Sequence, residues 1–465
     1  MDLERLVAAL GAVEVVERAP VAVRDLAYDS GAVAAGALYF CVPGARVDGH
    51  DFAGEAVGRG AVALVVERPL ELRVPQVVVR DARAAMAVAA DEFFGRPTDE
   101  LQVAGVTGTS GKTTTAFLLF AILAAAGRRP GLLGTVEARV AGERRGVERT
   151  TPEAIDLQRT FREMLDAGDR SCAMEASSHA SALHRLDRVR FAALVFTNLS
   201  QEHLDFHGDM ESYFRAKRRL FLEGRPPAAI NIGDEYGRRL AAERRDALTF
   251  GFASDAKIGP DALAGIKLKL RGRFNLENAL AAVAAASLLG IDRQAVVRGL
   301  ESVRGVPGRF ESVDEGQPFD VVVDYAHKPA ALEHVLRAAR ELARSGRVIC
   351  IIGAGGDRDR GKRPVMGRIA SELADLAIVT SDNPRSEDPL GIIEEVVAGA
   401  VGEVEVEPDR AAAIARAIDL ARQGDVVVIA GKGAEQGQEF ADRTVPFDDR
   451  AAAREALRTL LGART

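Results

Sequence analysis

A glycine-rich loop between a predicted strand and a predicted helix constrains this chain more than any other feature. The loop reads GVTGTSGKTT from Gly105 to Thr114 and contains the pattern G-x-x-x-x-G-K-T. The apolar segment Gln102–Thr107 before it suits a buried strand, and Thr113–Ala126 after it has helical length. Backbone N–H groups of such a loop close around phosphate oxygens at a helix N-terminus. The chain is therefore expected to contain an α/β domain that binds ATP or GTP.

The residue types in this loop suit separate parts of a nucleotide. Lys112 can reach the β- and γ-phosphates, and the hydroxyl of Thr113 can bind Mg²⁺. An ordinary glycine-rich turn is the alternative, and it is disfavoured because Lys-Thr-Thr follows the last glycine. The residues predicted to bind the nucleotide are Gly108, Thr109, Ser110, Gly111, Lys112, Thr113 and Thr114.

Length and composition exclude several classes of protein. A chain of 465 residues is expected to form two to four domains. Its formal net charge of −7 argues against a general nucleic-acid or membrane-surface binder. The three cysteines have no CxxC spacing and lie in apolar segments, which predicts buried thiols in a reducing compartment. No membrane-spanning run and no secretory leader is recognisable, so a cytoplasmic protein is expected.

The pattern of predicted elements changes twice along the chain. Residues 1 to about 98 contain short apolar strands separated by turns, and a strand–loop–helix pattern begins at about 99. After a predicted linker at Val306–Arg309, strands at Val321–Val323, Val348–Ile352, Leu376–Val379 and Val426–Ile429 alternate with helical stretches. This alternation predicts an open parallel sheet covered by helices on both faces.

Further candidates for chemistry follow the glycine-rich loop. Glu175 comes directly after the predicted strand Ser171–Met174, where a carboxylate suits Mg²⁺ bound together with substrate phosphates. Four of the seven histidines (179, 184, 203 and 207) fall within thirty residues. A single histidine is more often a hydrogen-bonded structural residue than a ligand. Lys217 lies in a basic helical segment, and from its residue type alone a solvated lysine is the ordinary interpretation.

Taken together and in this order, these motifs resemble those of the Mur ligases. The segment from Gly105 to Gly208 resembles the central domain of that family, and the resemblance extends over essentially the whole chain. It implies a three-domain α/β architecture: a UDP-binding domain at 1–98, a central P-loop ATPase domain at 99–305, and a Rossmann-like amino-acid-binding domain at 306–465. It also implies a monomeric ligase of peptidoglycan precursor synthesis. That ligase would join 2,6-diaminopimelate to the D-Glu γ-carboxylate of UDP-MurNAc-L-Ala-D-Glu through an acyl phosphate.

The resemblance also implies roles for residues around ATP and Mg²⁺. Glu175 and His203 match the family's Mg²⁺ ligands. Lys217 matches the lysine of Y-x-x-A-K-x-x-L-F that is carbamylated by CO₂ and thereby becomes an anionic ligand of a second Mg²⁺. The remaining positions expected to bind ATP are Asn278, Arg309, Asp324 and His327.

Substrate-binding positions are implied in the same way. Those matching the site for the UDP-linked muramoyl dipeptide are Ser30, Gly44, Arg46, Thr150, Thr151, Ser177 and Arg185. Those matching the site for diaminopimelate are Arg358, Asp382, Asn383, Pro384, Arg385, Gly431 and Glu435.

The expected amino-acid substrate, diaminopimelate rather than lysine, depends on Arg385 in the segment D-N-P-R. Diaminopimelate has a distal carboxylate that lysine lacks, and a guanidinium can pair with that carboxylate through two hydrogen bonds. Lysine would leave the arginine without this partner, which penalises the wrong substrate. Asn-Pro in an ordinary turn followed by a solvated arginine is the alternative interpretation of this segment.

Three positions depart from the family pattern, and other functions remain open. Gly31 follows Ser30 where the family has Arg, Leu183 stands where some members have Gln, and Ala434 replaces His in G-K-G-H-E. The alternatives are a ligase of the same fold that adds lysine, D-Ala-D-Ala or a folate glutamate, and a non-catalytic nucleotide-binding paralogue. An NAD site at GAGGDRD is rejected because Arg358 stands where the third glycine of G-x-G-x-x-G would be.

Overall fold

The computed structural model describes residues 1–44 and 47–462. These residues form two compact units, Met1–Gly265 with Asn278–Leu300, and Ile266–Glu277 with Glu301–Thr465. Arg46, predicted to contact the UDP-linked substrate, lies outside the described residues. The two domain boundaries predicted at residues 98/99 and 305/306 remain predictions.

The first unit begins with a five-stranded sheet in the order β1-β5-β4-β3-β2, parallel except for β1. Its apolar strands are short, and the residues of β3, β4 and β5 are buried on both faces. The elements are α1 (Leu3–Leu10), β1 (Glu14–Val16), β2 (Asp25–Ala27), β3 (Ala37–Phe40), α2 (Ala53–Gly58), β4 (Ala63–Val66), β5 (Gln76–Val78) and α3 (Ala82–Phe93).

An eight-stranded sheet follows in the same unit, in the order β13-β12-β11-β6-β10-β7-β8-β9. Its strands are β6 (Gln102–Thr107), β7 (Pro130–Leu133), β8 (Ala138–Val140), β9 (Glu143–Arg145), β10 (Ser171–Glu175), β11 (Phe191–Phe196), β12 (Ala228–Asn231) and β13 (Leu248–Phe250). Its helices are α4 (Lys112–Ala125), α5 (Ala154–Asp166), α6 (Ser178–Ala182), α7 (Leu204–His207), α8 (Met210–Leu222), α9 (Glu235–Glu243), α10 (Arg273–Leu288), whose first residues belong to the second unit, and α11 (Arg293–Ser302).

The strand order places the functional loops at one edge of this sheet. β6 is central and runs parallel to both β10 and β11. The carboxyl ends of these three neighbouring strands therefore meet, and ligands of open α/β sheets bind at such an edge. The strand predicted at Gln102–Thr107 is confirmed with these bounds.

The second unit contains a six-stranded sheet in the order β14-β15-β19-β16-β17-β18, parallel except for β14. The strands predicted at Val348–Ile352 and Leu376–Val379 are confirmed with the same bounds. The elements are β14 (Glu311–Ser312), β15 (Asp320–Asp324), α12 (Pro329–Ala343), β16 (Val348–Ile352), α13 (Lys362–Leu373), β17 (Leu376–Val379), α14 (Pro389–Val397), β18 (Glu405–Val406), α15 (Arg410–Leu420), β19 (Val426–Ala430), β20 (Gly437–Glu439), β21 (Thr444–Pro446) and α16 (Asp449–Gly462).

Two expectations from composition bear on the packing. Cys41, Cys172 and Cys350 are free and buried, as predicted, and burial raises the pKa of each thiol. No helix within residues 1–44 and 47–462 is both long and apolar enough to cross a bilayer.

Candidate active site

The loop between β6 and α4 has a backbone that only glycine permits at two positions. Gly108 has a φ of 154° and Gly111 a φ of 85°. A Cβ on Gly108 would lie 1.9 Å from Oγ1 of Thr197, and one on Gly111 would lie 2.3 Å from Oδ1 of Asn278. Thr197 and Asn278 thus lie close against the loop, so a side chain at either glycine would clash with them.

Two lysines converge on the carbonyl oxygen of Gly108. Nζ of Lys112, the first residue of α4, donates to the Gly108 oxygen at 3.0 Å and to the Thr109 oxygen at 2.7 Å. Nζ of Lys217, on α8, donates to the same Gly108 oxygen at 2.8 Å. The structure therefore brings together the two lysines that were predicted from separate motifs 105 residues apart.

Lys217 is not the solvated lysine that its residue type suggests. Its side chain is 1% exposed and lies 4.7 Å from the centroid of the Tyr213 ring. Burial, followed by repulsion from Lys112, holds the pKa of Lys217 well below its ordinary value. A larger fraction of the amine is therefore neutral, which is the form that can act as a nucleophile.

Glu175 ends β10 beside the glycine-rich loop. It pairs in register with Val106 of β6, and its side chain is buried. Its Oε1 accepts from the backbone N–H of Thr135 at 2.7 Å, and its Oε2 accepts from the Thr135 hydroxyl at 3.1 Å. The Thr135 hydroxyl also lies 3.0 Å from the Thr150 hydroxyl, so one threonine connects Glu175 with the segment predicted to hold the dipeptide.

Three of the four clustered histidines lie in one group of rings. The ring centroids of His179 and His203 are 4.7 Å apart, and those of His179 and His207 are 5.5 Å apart. His207 stacks on Tyr213, and one of its ring nitrogens lies 3.0 Å from the Ser178 hydroxyl. Burial, with a contribution from His179, lowers the pKa of His207 to about 4, so this ring is neutral at neutral pH.

His184 lies apart from this ring group. Its Nδ1 is 2.6 Å from Oδ2 of Asp187, and this partner raises its pKa. His184 therefore has a structural ion-pair partner and is a poor candidate for a ligand.

The oxygen donors at this edge fit Mg²⁺. Thr113 and Glu175 are buried and supply a hydroxyl and a carboxylate, which are the ligand types this ion prefers. Within the described part of the chain, no three His, Cys, Asp or Glu side chains form a metal-binding group. That arrangement suits an ion held by one or two protein carboxylates together with substrate phosphates rather than by a full protein cage.

A second group of predicted residues surrounds the end of β10. The Thr151 hydroxyl donates to the Glu175 carbonyl oxygen at 2.8 Å and lies 3.2 Å from the Ser177 hydroxyl. Arg185 donates to the Thr151 carbonyl oxygen at 3.2 Å and pairs with Glu153 at 2.7 Å. One site is therefore formed by Thr150, Thr151, Ser177 and Arg185. Leu183, which directly follows α6, is half-buried.

The predicted uridine segment forms local turns in the five-stranded part of the unit. Ser30 begins a short 3₁₀ turn, and its hydroxyl donates to Glu55 at 3.1 Å. A Cβ on Gly44 would lie 2.8 Å from the carbonyl oxygen of Val47, so position 44 has no room for a side chain. Gly31 donates its N–H to Asp29 and requires no positive φ, so the structure provides no reason for glycine rather than arginine there.

In the second unit, the end of β15 carries the residues predicted to contact ATP. Oδ2 of Asp324 accepts from the Phe310 N–H at 2.7 Å, and burial raises the pKa of Asp324 to about 6. The guanidinium of Arg309 lies 4.7 Å from the Tyr325 ring centroid, and the His327 ring packs on the same tyrosine. Burial lowers the pKa of His327 to about 4. The segment around the end of β15 thus brings Arg309, Asp324 and His327 close to one another.

A buried lysine organises the residues predicted to bind the amino acid. Nζ of Lys432 donates to Oδ1 of Asn383 at 2.6 Å and lies 3.3 Å from Glu435 and 3.7 Å from Asp382. Asn383 also donates to Glu435 at 2.8 Å. A Cβ on Gly431 would lie 2.5 Å from Oδ2 of Asp382. These five residues form one compact polar site at the carboxyl ends of β17 and β19.

Arg385 is held by groups that sequence reasoning did not identify. Its Nε donates to Oε2 of Glu439 at 2.8 Å, and its Nη1 donates to the Gly356 carbonyl oxygen at 2.8 Å. Pro384 before it is buried, whereas Arg358 on the neighbouring loop is exposed.

Lys432 stands in the segment G-K-G-A-E, but the motif predicted no role for this lysine, and the sequence predicted none for Glu439. The sequence did offer a signal for Lys432, because this lysine stands between two glycines in a motif that also contains a glutamate. Glu439 offered none, because its contact with Arg385 arises only from folding.

Comparison with known proteins agrees with this geometry. Three family models match the chain: the Mur ligase family catalytic domain at residues 23–94, the Mur ligase middle domain at 106–286, and the Mur ligase glutamate ligase domain at 308–433. Together they cover more than half of the sequence.

Individual relatives match over nearly their whole length. A UDP-N-acetylmuramoyl-L-alanyl-D-glutamate–2,6-diaminopimelate ligase from Solibacter usitatus is 47% identical, over 95% of each chain. A solved structure of a ligase with the same name is 30% identical with a TM-score of 0.67, covering 94% of this chain and 95% of that one. A MurF ligase from Thermotoga maritima in complex with ADP, at 21% identity and a TM-score of 0.60, shares the fold. This chain therefore belongs to the Mur ligase family.

Proposed function

We propose that this chain is an ATP-dependent ligase that joins 2,6-diaminopimelate to the D-Glu γ-carboxylate of UDP-MurNAc-L-Ala-D-Glu. The observation that carries the proposal is the site around Arg385, Asn383 and Lys432 in the second unit, in a chain whose first unit holds the phosphate loop with Lys112. Such a ligase would act as a monomer in the cytoplasm during peptidoglycan precursor synthesis. The near full-length relative with this activity in its name supports the same substrates.

The reaction would proceed in two balanced steps. An oxygen of the D-Glu γ-carboxylate attacks the γ-phosphorus of ATP, the bond to the β–γ bridging oxygen breaks, and ADP leaves. The amine of diaminopimelate then attacks the acyl carbon, loses a proton, and displaces phosphate as the amide forms. Because phosphoryl transfer needs little covalent help, the protein contributes mainly positioning and charge.

Each group of residues described above would have one task. Lys112 and the N–H groups of residues 108–114 would hold the phosphates and neutralise the charge that develops on them. Thr150, Thr151, Ser177 and Arg185 would orient the dipeptide so that its carboxylate faces the γ-phosphate. Asn278, Arg309, Asp324 and His327 would contact ATP.

Thr113, Glu175, His203 and a carbamylated Lys217 would hold Mg²⁺. The ion would supply Lewis-acid stabilisation of phosphate charge when bound. The carbamate forms when the neutral Nζ of Lys217 attacks the carbon of CO₂ and the nitrogen then loses a proton, which converts a cation into an anion. The lowered pKa of Lys217 favours this reaction because it raises the fraction of neutral amine.

Steady-state turnover with three candidate amino acids tests the proposed function. Release of ADP is measured with ATP, Mg²⁺ and UDP-MurNAc-L-Ala-D-Glu, adding meso-diaminopimelate, LL-diaminopimelate or L-lysine separately. We expect turnover with a diaminopimelate isomer and little with lysine. A preference for lysine would retain the ligase and refute the proposed amino acid, and no turnover with any of them would refute the ligase.

Replacement of Lys217 tests the carbamate. We expect Lys217→Arg to lower kcat by about 10²-fold or more, because a permanent cation then replaces an anion beside the phosphates. Carbon NMR with ¹³CO₂ should show a carbamate signal in the wild-type protein that is absent from the variant. Arg218→Lys, at the half-buried neighbouring position on α8 that pairs with Glu243, is the control and should keep both the signal and the activity. A wild-type protein without the signal but with full activity would contradict this role.

A further inference from the structure

The two loops predicted to contact diaminopimelate leave neighbouring strands. β16 and β17 are parallel and pair in register up to Ile352 and Val379, so the segments after them emerge side by side. Residues 353–361 follow β16 and carry Arg358, and residues 380–388 follow β17 and carry Arg385. The placement of both arginines therefore depends on how these two loops are held against each other.

Direct hydrogen bonds join the loops. The Gly356 N–H donates to the Asn383 carbonyl oxygen at 2.9 Å, and the Ser386 hydroxyl donates to the Asp357 carboxylate at 2.6 Å. A Cβ on Gly356 would lie 1.9 Å from the Pro384 carbonyl oxygen, so the backbones approach as closely as glycine allows. These contacts between the two loops therefore require one particular alignment of their backbones.

Both loops contain a residue in the left-handed region of backbone space. Asp357 has a φ of 53° and Arg385 a φ of 52°. A residue other than glycine adopts this conformation at a cost in free energy and keeps it only when its surroundings impose it. Arg385 itself is held by Glu439, whose carbonyl oxygen accepts its N–H at 3.0 Å and whose carboxylate accepts from its Nε at 2.8 Å, and by the Gly356 carbonyl oxygen of the other loop.

The side chain of Arg363 contacts both loops from outside them. It lies in the first turn of α13 and is 0% exposed. Its Nη1 donates to Glu387 at 2.9 Å and to Glu395 at 2.8 Å, and its Nη2 donates to Glu387 at 2.8 Å and to the Gly355 carbonyl oxygen at 3.2 Å. One buried guanidinium thus holds a carbonyl of the first loop, a carboxylate of the second loop and a carboxylate of α14.

Glu387 connects Arg363 with Asp357 and with the segment that carries Arg385. It lies two residues after Arg385, and its Oε1 accepts the N–H of Asp357 at 2.6 Å. A change in the position of Glu387 would therefore move both Asp357 and the segment that carries Arg385. None of these four hydrogen bonds of Arg363 involves a group expected to touch substrate, so its effect would be transmitted through Glu387 and Gly355.

We propose that Arg363 is a positioning residue for amino-acid selection, because it fixes the two loops in the register in which Arg385 receives the distal carboxylate of the substrate and Arg358 contacts the same amino acid. The inference rests on the proposed function and adds a residue that no substrate-binding motif contains. The planar guanidinium of Arg363, which donates several hydrogen bonds at once, is essential to this positioning role. A lysine ammonium keeps the charge but cannot span both oxygens of Glu387, Glu395 and the Gly355 carbonyl with the same geometry.

The variants Arg363→Lys and Glu387→Gln, made in the full chain, test the inference. For each we would measure kcat and KM for diaminopimelate, ATP and UDP-MurNAc-L-Ala-D-Glu, and the ratio of kcat/KM for diaminopimelate to that for lysine. We expect KM for diaminopimelate to rise about 10-fold and the ratio to fall about 10-fold, since small displacements of a binding group are costly. The KM values for the other two substrates should stay within about twofold.

Arg347→Lys is the matched control. Arg347 forms a comparable ion pair with Asp425 in the same unit, with Nε at 3.1 Å and Nη2 at 2.7 Å, but at the amino end of β16. The control should lower the midpoint of thermal unfolding and leave all KM values and the ratio unchanged. Glu387→Gln retains the Arg363–Glu395 pair, so it provides the same comparison if Arg363→Lys does not fold.

The possible failures are distinguishable. If the wild-type chain turns over diaminopimelate and the variants lose only kcat or thermal stability, with KM and the ratio intact, Arg363 is merely structural and the inference is wrong. If the wild-type chain does not use diaminopimelate, the proposed function fails and the inference falls with it.

Discussion

Replacing Lys112 by alanine is expected to lower kcat by about 10³-fold while leaving the fold intact. Nζ of Lys112 reaches back over the glycine-rich loop to the carbonyl oxygens of Gly108 and Thr109. With ATP bound, we expect this ammonium to turn to the phosphates, where charge develops during phosphoryl transfer. Loss of one well-placed electrostatic contact of this kind commonly costs 10²- to 10³-fold in kcat, or about 3 to 4 kcal/mol.

Single-turnover formation of ADP, measured at saturating ATP, checks this expectation. Circular dichroism and the midpoint of thermal unfolding would establish that the variant is folded. Lys257→Ala is the control, because Lys257 is an exposed lysine of the same unit whose Nζ donates to a backbone carbonyl. Near-normal turnover by Lys112→Ala would remove the glycine-rich loop from the proposed mechanism.

Replacing Arg385 by methionine is expected to abolish most of the preference for diaminopimelate over lysine. Methionine keeps an unbranched side chain but removes the guanidinium that would pair with the distal carboxylate. A hydrogen bond to a charged group contributes about 1.5 to 3 kcal/mol, so loss of a paired interaction predicts about a 100-fold fall in kcat/KM for diaminopimelate. Turnover of lysine should fall far less, since lysine has no distal carboxylate that could pair with the guanidinium.

Competition between the two amino acids in one reaction, with the products separated by mass, measures this ratio directly. Arg443→Met is the control, because Arg443 is an exposed arginine of the same unit that pairs with Asp442. An unchanged ratio in Arg385→Met would assign selection to another group. Since Glu439 also accepts from Arg385, Glu439→Gln in parallel would show whether that carboxylate competes with the substrate for the guanidinium.

The parts of this protein that could be predicted from sequence depend on local patterns. The strand, loop and helix around Lys112 occur as predicted, because an apolar run, glycines at positions of positive φ and good helix formers each act within a few residues. Local sequence was also enough to predict the strands at Val348–Ile352 and Leu376–Val379, since short apolar runs between turns have few alternatives in a buried parallel sheet.

Predictions of residue roles required motifs as well as periodicity. Composition and spacing alone suggested a solvated Lys217, and only its match to a family motif indicated a role beside the phosphate loop. The structure shows why the residue type misleads: α8 carries the side chain into the interior against Tyr213 and Gly108. Whether that burial accompanies carbamylation remains a prediction for the NMR experiment.

Motifs were enough to identify the residues that could perform the chemistry: the phosphate loop, the carboxylate that ends β10 and the arginine of D-N-P-R. The contacts that hold these residues in place became visible in the folded chain. Lys112 and Lys217 meet at one carbonyl oxygen, Lys432 gathers Asp382, Asn383 and Glu435, and Arg363 joins two loops through Glu387. These contacts connect residues brought together by the packing of parallel strands. No local propensity encodes such contacts, because their free energy depends on burial and on partners that are distant in the chain.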